Sequence, residues 1–121
     1  MTDKPQVVVI LGSSRFKNAI LGLTQRETLL GKIAINHGFF HHVDVVPITD
    51  KQKRDIDTLM MRKIDLADEV LVCNVNGYLG QSTLAGLEYA KARGKAVRYM
   101  EDPSAPSGKA KKPLHDIGET E

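Results

Sequence analysis

With one cysteine, no tryptophan and only 5% aromatic residues, this 121-residue chain lacks several features that commonly announce a function. The lone Cys73 sits in an apolar run with no intrachain partner, so no disulfide framework is present and a reducing compartment is expected. No apolar run approaches the roughly 20 residues needed to span a bilayer, and no charged start followed by a long apolar stretch marks the N-terminus. These features predict a cytoplasmic protein with no membrane partner. A formal net charge of +2 with so few stacking rings gives no broad basic surface, so no nucleic-acid polymer is expected. A small anionic ligand is easier to accommodate. What the chain does have, 41% hydrophobic and 26% charged residues without internal repeats, suits one compact domain.

Val7-Val8-Val9-Ile10-Leu11 is a continuous apolar run that ends in Gly12-Ser13-Ser14-Arg15, the form of a parallel strand covered on both faces. From Phe16 the spacing of Ile20, Leu23, Leu30 and Ala34 predicts a helix that stops near His37-Gly38. His42-Val43-Asp44-Val45-Val46 reads as a second strand, and Pro47 puts it at or near a sheet edge. A second helix follows, capped by Asp50, with Ile56, Leu59, Met60 and Ile64 forming an apolar stripe. Val70 to Val75 is the third strand. A third helix begins near Ser82 or Thr83 and ends at Gly94, and Ala96 to Met100 is a fourth strand.

Strands thus alternate with helices. The fold class this predicts is α/β, a doubly wound, Rossmann-like or flavodoxin-like parallel sheet of four to five strands with helices on both faces. The domain spans residues 1–101. Residues 102–121, with Pro103, Pro106, Gly108, Lys109, Lys111 and Lys112, have too little apolar content to fold alone and read as a flexible tail. If the first strand lies between the second and third, the turn at Gly12 to Arg15 faces the loop from Asn74 to Ser82. Ligands of open α/β sheets bind at that kind of switch point.

The backbone N–H groups, hydroxyls and guanidinium of Gly12, Ser13, Ser14 and Arg15 can converge on one anion, with phosphate the natural guest. The plainer alternative is that a serine caps the helix. Ser82 and Thr83 offer the same choice at the start of the third helix. Asn74 and Asn76 on the intervening loop can bond ribose hydroxyls, although Asn76-Gly77 also reads simply as a turn. Tyr78 suits a pocket rim. Glu88 shares a helix face with Leu84, Leu87 and Lys91. Either it pairs with Lys91 at the surface, or it acts as a nucleophile at C1' of a nucleoside, forming a glycosyl ester that is resolved with retained configuration. His37, His41 and His42 have neither helical nor paired Cys/His ligand spacing, so no metal or other cofactor is expected. The charged run Lys51 to Asp55 reads as a solvated face.

Gly12-Ser13-x-Arg15 after the first strand, Ala67-Asp68 before the third, Ser82 six residues ahead of Glu88, and Glu88-Tyr89-Ala90 followed by Gly94-Lys95 occur in an order that resembles the nucleoside 2-deoxyribosyltransferase superfamily. The likeness is to its nucleoside 5'-monophosphate N-glycosidase branch and covers residues 6 to 101. Phe16 and the span Asn74 to Thr83 further resemble small bacterial and phage-type members, whose substrates the resemblance does not supply. By position, the resemblance implies Glu88 as nucleophile and Ser13, Arg15 and Ser82 at the 5'-phosphate. It also implies a homodimer or larger assembly. The family usually has an Asp eight residues ahead of Asp68, where this chain has Met60, which transfers no protons. Asp57, one turn earlier, is the candidate substitute. Two functions are therefore expected as alternatives. One is hydrolysis or transfer at the N-glycosidic bond of a nucleoside 5'-monophosphate through Glu88; the other is a non-catalytic nucleotide-binding module that keeps the phosphate cradle.

Overall fold

The structure is a computed structural model and describes residues 4–103. Four parallel strands form one sheet in the order β2-β1-β3-β4: β1 Val7–Leu11, β2 Ile33–Ile35, β3 Glu69–Val72 and β4 Ala96–Tyr99. The helices are α1 Lys17–Leu29, the short α2 His41–Asp44, α3 Asp50–Leu66 and α4 Gln81–Ala92. This is the α/β, doubly wound parallel arrangement with four strands. The flexible tail expected at 102–121 falls, from residue 104 onward, outside the described residues.

The apolar run of β1 places it at the centre because both of its faces need cover. Val9 and Leu11, with Val70 and Val72, pack against Met60, Ile64, Leu87 and Ala90 of α3 and α4. Val8 and Ile10, with Leu71 and Cys73, pack on the opposite face against Ile20 and Leu23 of α1 and against Phe40. Helices thus divide between the faces, as two-sided burial requires. Among the described residues no helix is long and apolar enough to cross a membrane.

The second strand is not the segment expected. Gly31, at φ 92°, ends α1 through Gly31 N–H to Thr28 and Lys32 N–H to Glu27. The chain then turns straight into Ile33-Ala34-Ile35, which pairs with Val7, Val8 and Val9 and takes the edge position. Residues 42–46 have no strand left to join. They hold the end of α2 and a left-handed Val45, with Val43, Val45 and Val46 exposed. The helix predicted to run on to Ala34 stops at Leu29 for the same reason. The cap of α3 is likewise Thr49 rather than Asp50: its hydroxyl accepts the Gln52 N–H at 3.0 Å, and its own N–H donates to Gln52 Oε1 at 2.9 Å.

An ionic network fastens α1 to the side of the sheet away from α3 and α4. Glu27 is fully buried and meets Arg98 at 2.7 Å, Arg26 at 3.0 Å and Lys32 at 3.3 Å. Glu69 shares Lys32 and Arg98. Burial by itself would raise the Glu27 pKa, but the hydrogen bonds from Arg98, Arg26 and Lys32 outweigh it and hold the carboxyl at about 2 against the ordinary 4.5.

Because the folded-state pKa lies below the unfolded one, the stabilisation from Glu27 is complete above pH 4.5 and drains away as pH falls toward about 2. Urea midpoints measured across that window should fall steeply in the natural protein, and Glu27→Gln should flatten the slope while lowering stability at neutral pH. Glycine substitutions should separate strain from helix propensity. A Cβ on Gly12 would sit 2.9 Å from Cys73 Cβ and 3.0 Å from the Cys73 carbonyl oxygen, whereas one on Gly22, within α1, would meet nothing within 4 Å. Gly12→Ala should cost about 1–3 kcal/mol. Gly22→Ala should add about 0.5–1 kcal/mol.

Candidate functional site

A cleft of about 360 Å³ opens at the carboxyl end of β1, on the α3 and α4 side of the sheet. Gly12 and Ser14 form its inner end, the segment 37–42 closes one side, α3 supplies a wall, and the first turn of α4 closes the other side. Its place follows from the topology. β1 and β3 are neighbours whose crossovers leave toward opposite faces, which is the switch point where open α/β sheets leave a crevice. The tight contact of Gly12 with Cys73 brings the first turn down onto the end of β3.

One end of the cleft collects hydrogen-bond donors around the start of α4. α4 runs for 12 residues and its N-cap is Gly80, which gives no side-chain cap to the first-turn amides. These amides carry the positive end of the helix dipole. Thr83, on that turn, is 2% exposed, and its Oγ1 has no hydrogen-bond partner among the described residues. A hydroxyl buried in this way costs free energy unless a ligand oxygen completes it. Lys53 Nζ reaches Ser82 Oγ at 3.3 Å and the Asp57 carboxylate at 3.0 Å. Lys53, Asp57, Ser82 and Thr83 all line the cleft.

The rest of the cleft is apolar, with Phe39, Ile56, Leu59 and Met60 along it. His37 and Lys63 hold its shape. His37 Nε2–H donates to the Gly12 carbonyl at 2.7 Å, and Lys63 Nζ donates to the carbonyls of Asn36 and His37 at 2.8 and 3.2 Å. Burial lowers the pKa of Lys63 and is the main cause that lowers those of His37 and His41; for His41 the charge of Lys53 adds to it. Both rings are therefore neutral near pH 7. The Ser14 hydroxyl bonds Nδ1 of His42, and Ser14 is 6% exposed at the inner end. Ser14 does not cap α1, whose N-cap is Phe16 with no side-chain cap bond.

Of the residues expected at a phosphate, the cleft gathers Gly12, Ser14, Ser82 and Thr83. Ser13 and Arg15 do not line it. Ser13 Oγ accepts the Arg15 N–H at 3.2 Å in a local turn, and the Arg15 guanidinium lies 5.3 Å from the centre of the Tyr78 ring. Tyr78 also meets Phe16 edge-on, at 5.7 Å between ring centres. Asn74 spends its side chain on the backbone of Glu101, with bonds of 2.9 and 2.8 Å that tie the end of β3 to the chain beyond β4. Asn76 forms the left-handed turn at φ 54°, its N–H donating to the Glu101 carboxylate. Asn74, Asn76 and Tyr78 are thus loop-building residues outside the cleft.

Glu88 lies outside the cleft. The inner face of α4 carries Thr83, Gly86, Leu87 and Ala90, and Gly86 lies so close to Leu11 that a Cβ there would meet it at 2.9 Å. At 100° per residue, Glu88 is turned outward from Leu87. It is exposed, together with Leu84 and Lys91, and does not line the cleft. Of the four residues read as one face, Leu84, Glu88 and Lys91 are exposed and Leu87 alone is buried. Asp57 does line the cleft, paired with Lys53, and Met60 is buried beside it.

Several cleft residues went unassigned in the sequence. Lys53 lay in a run read as solvated, and Phe39 and Lys63 carried no signal. The sequence offers His37 as part of a helix stop, His42 as the start of a strand and all three histidines as metal ligands, but none as a wall of the cleft. Among the described residues no three His, Cys, Asp or Glu side chains gather as a metal site. No protein-family model matches the chain, and no curated protein matches it.

The Thr83 hydroxyl, unpartnered among the described residues, gives a direct test of the cleft. Thr83→Val keeps the shape and removes a buried polar atom that has no partner among the described residues, so it should raise the stability of the ligand-free protein by about 1 kcal/mol in urea denaturation. A loss of that size instead would place a bonding partner on Oγ1.

Proposed function

We propose that the protein binds a nucleoside 5'-monophosphate, or a phosphomonoester of like size, in this cleft, and that it does not cleave a glycosidic bond through Glu88. The observation that carries the reading is Thr83: a buried, unsatisfied hydroxyl on the first turn of a helix whose amides lack a side-chain cap, within one cleft that also holds Lys53. A phosphate oxygen would satisfy the hydroxyl and the amides together, in the manner of anions at helix N-termini. The apolar wall of Phe39, Ile56 and Met60 offers a surface for a planar base, and the volume lies within the range of small-ligand pockets. The exposed position of Glu88 argues for the binding-only alternative, since a nucleophile has to reach the anomeric carbon within the site.

Calorimetric titration with ribo- and deoxyribonucleoside monophosphates, and with the matching nucleosides, tests this. The phosphate should improve affinity at least tenfold. Lys53→Ala and Thr83→Val should each weaken monophosphate binding by about 1–3 kcal/mol. Glu88→Gln should leave it unchanged. Equal affinity for nucleoside and nucleotide, or free base released by the natural protein but not by Glu88→Gln, would overturn the proposal.

A further inference from the structure

The cleft contains a buried nucleophile that anion binding alone does not use. Ser14 caps no helix, its hydroxyl is bonded to a ring nitrogen of His42, and it lines the same cleft as the first turn of α4. A serine hydroxyl on an imidazole nitrogen supplies a nucleophile and a base. We propose that Ser14 is an acyl acceptor, and that its substrate is a carboxylic acyl group carried as an anhydride on a phosphate or phosphomonoester. This rests on the reading of the cleft as a phosphate site.

The leaving group follows from the chemistry of the cleft. A phosphate departs as a stable anion without protonation. The anion end of the cleft at Thr83, Ser82 and Lys53 is suited to receive it.

In the acylation step Ser14 Oγ bonds the acyl carbon and its proton passes to Nδ1 of His42. The bond from carbon to the phosphate oxygen breaks, and the phosphate leaves with the electron pair. The imidazolium of His42, which is exposed, then yields its proton to solvent. In the second step water attacks the acyl-serine carbonyl, His42 takes the water proton and returns it to Ser14 Oγ, and the carboxylic acid is released with the serine restored.

The test uses the whole chain with two acyl donors, acetyl phosphate and p-nitrophenyl acetate, the second of which carries no phosphate. Peptide mass mapping should find an acetyl group on Ser14 after acetyl phosphate treatment, with phosphate release at least tenfold above the spontaneous rate. Ser14→Ala should abolish both, and His42→Gln should slow acylation at least tenfold. Ser14→Cys, which keeps a nucleophile in place, should form a thioester and guards against reading a folding defect as lost chemistry. Labelling of Ser14 by the phenyl ester but not by acetyl phosphate would overturn the choice of substrate. If neither donor labels Ser14 while nucleoside monophosphates still bind, the acyl-acceptor role is refuted and the phosphate reading survives. Loss of nucleotide binding with Ser14 still labelled by the phenyl ester would refute the phosphate reading, and the substrate class with it.

Discussion

The Gly12 backbone lies against Cys73 where β1 and β3 leave the sheet side by side, closer than any other residue type allows. That contact folds the first turn onto the end of the neighbouring strand. Ser14 is thereby carried inward to the cleft, while Arg15 is directed to Tyr78 on the far side. The His37 bond to the Gly12 carbonyl then fixes the segment 37–42 across the opening, and Lys63 clamps the same segment from α3. The cleft is what remains between these restraints and the start of α4.

The two sides of the domain are built differently. On the α1 side, the buried Glu27 and the partly shared Glu69 are met by Arg98, Lys32 and Arg26, so buried charge there is fully paired. Such a network does little net stabilising over an apolar core, but breaking it is costly, and it fixes one arrangement of α1 on the sheet. On the cleft side, a hydroxyl is left unsatisfied and α4 has no side-chain cap. Local departures from complete polar satisfaction are expected where a ligand supplies the missing partner.

The central strands were legible because a run such as Val7 to Leu11 fits burial on both faces, and the switch point followed from the strand order. β2 was not legible. It is a three-residue edge strand whose middle residue is alanine, while Val43, Val45 and Val46 nearby have the stronger β-branched signal. What decided the matter was the left-handed Gly31, which delivers the chain to β1 as soon as α1 ends. That shift turned 37–42 from an approach to a strand into a wall of the site, so the histidines and Phe39 lost their context. The position of Glu88 outside the cleft was not legible for another reason. Motif order fixes where a residue lies along a helix but leaves its rotation to packing, and the close fit of Gly86 on Leu11 settles which face of α4 points inward. Of the hydroxyls expected at a phosphate, Ser14, Ser82 and Thr83 line the cleft and Ser13 does not, because hydroxyls at strand and helix ends have both local and ligand uses. Ser13 took the local use and Thr83 has none.

In the proposed function the anion sits at the first turn of α4, not at Arg15 and not beside Glu88. A crystal structure of the protein with a nucleoside monophosphate would test it most directly. Phosphate oxygens are expected about 2.7–3.1 Å from Thr83 Oγ1 and the first-turn amides, with the base against Phe39 and Met60. A phosphate seated on the Arg15 guanidinium, or a sugar carbon against the Glu88 carboxylate, would contradict it.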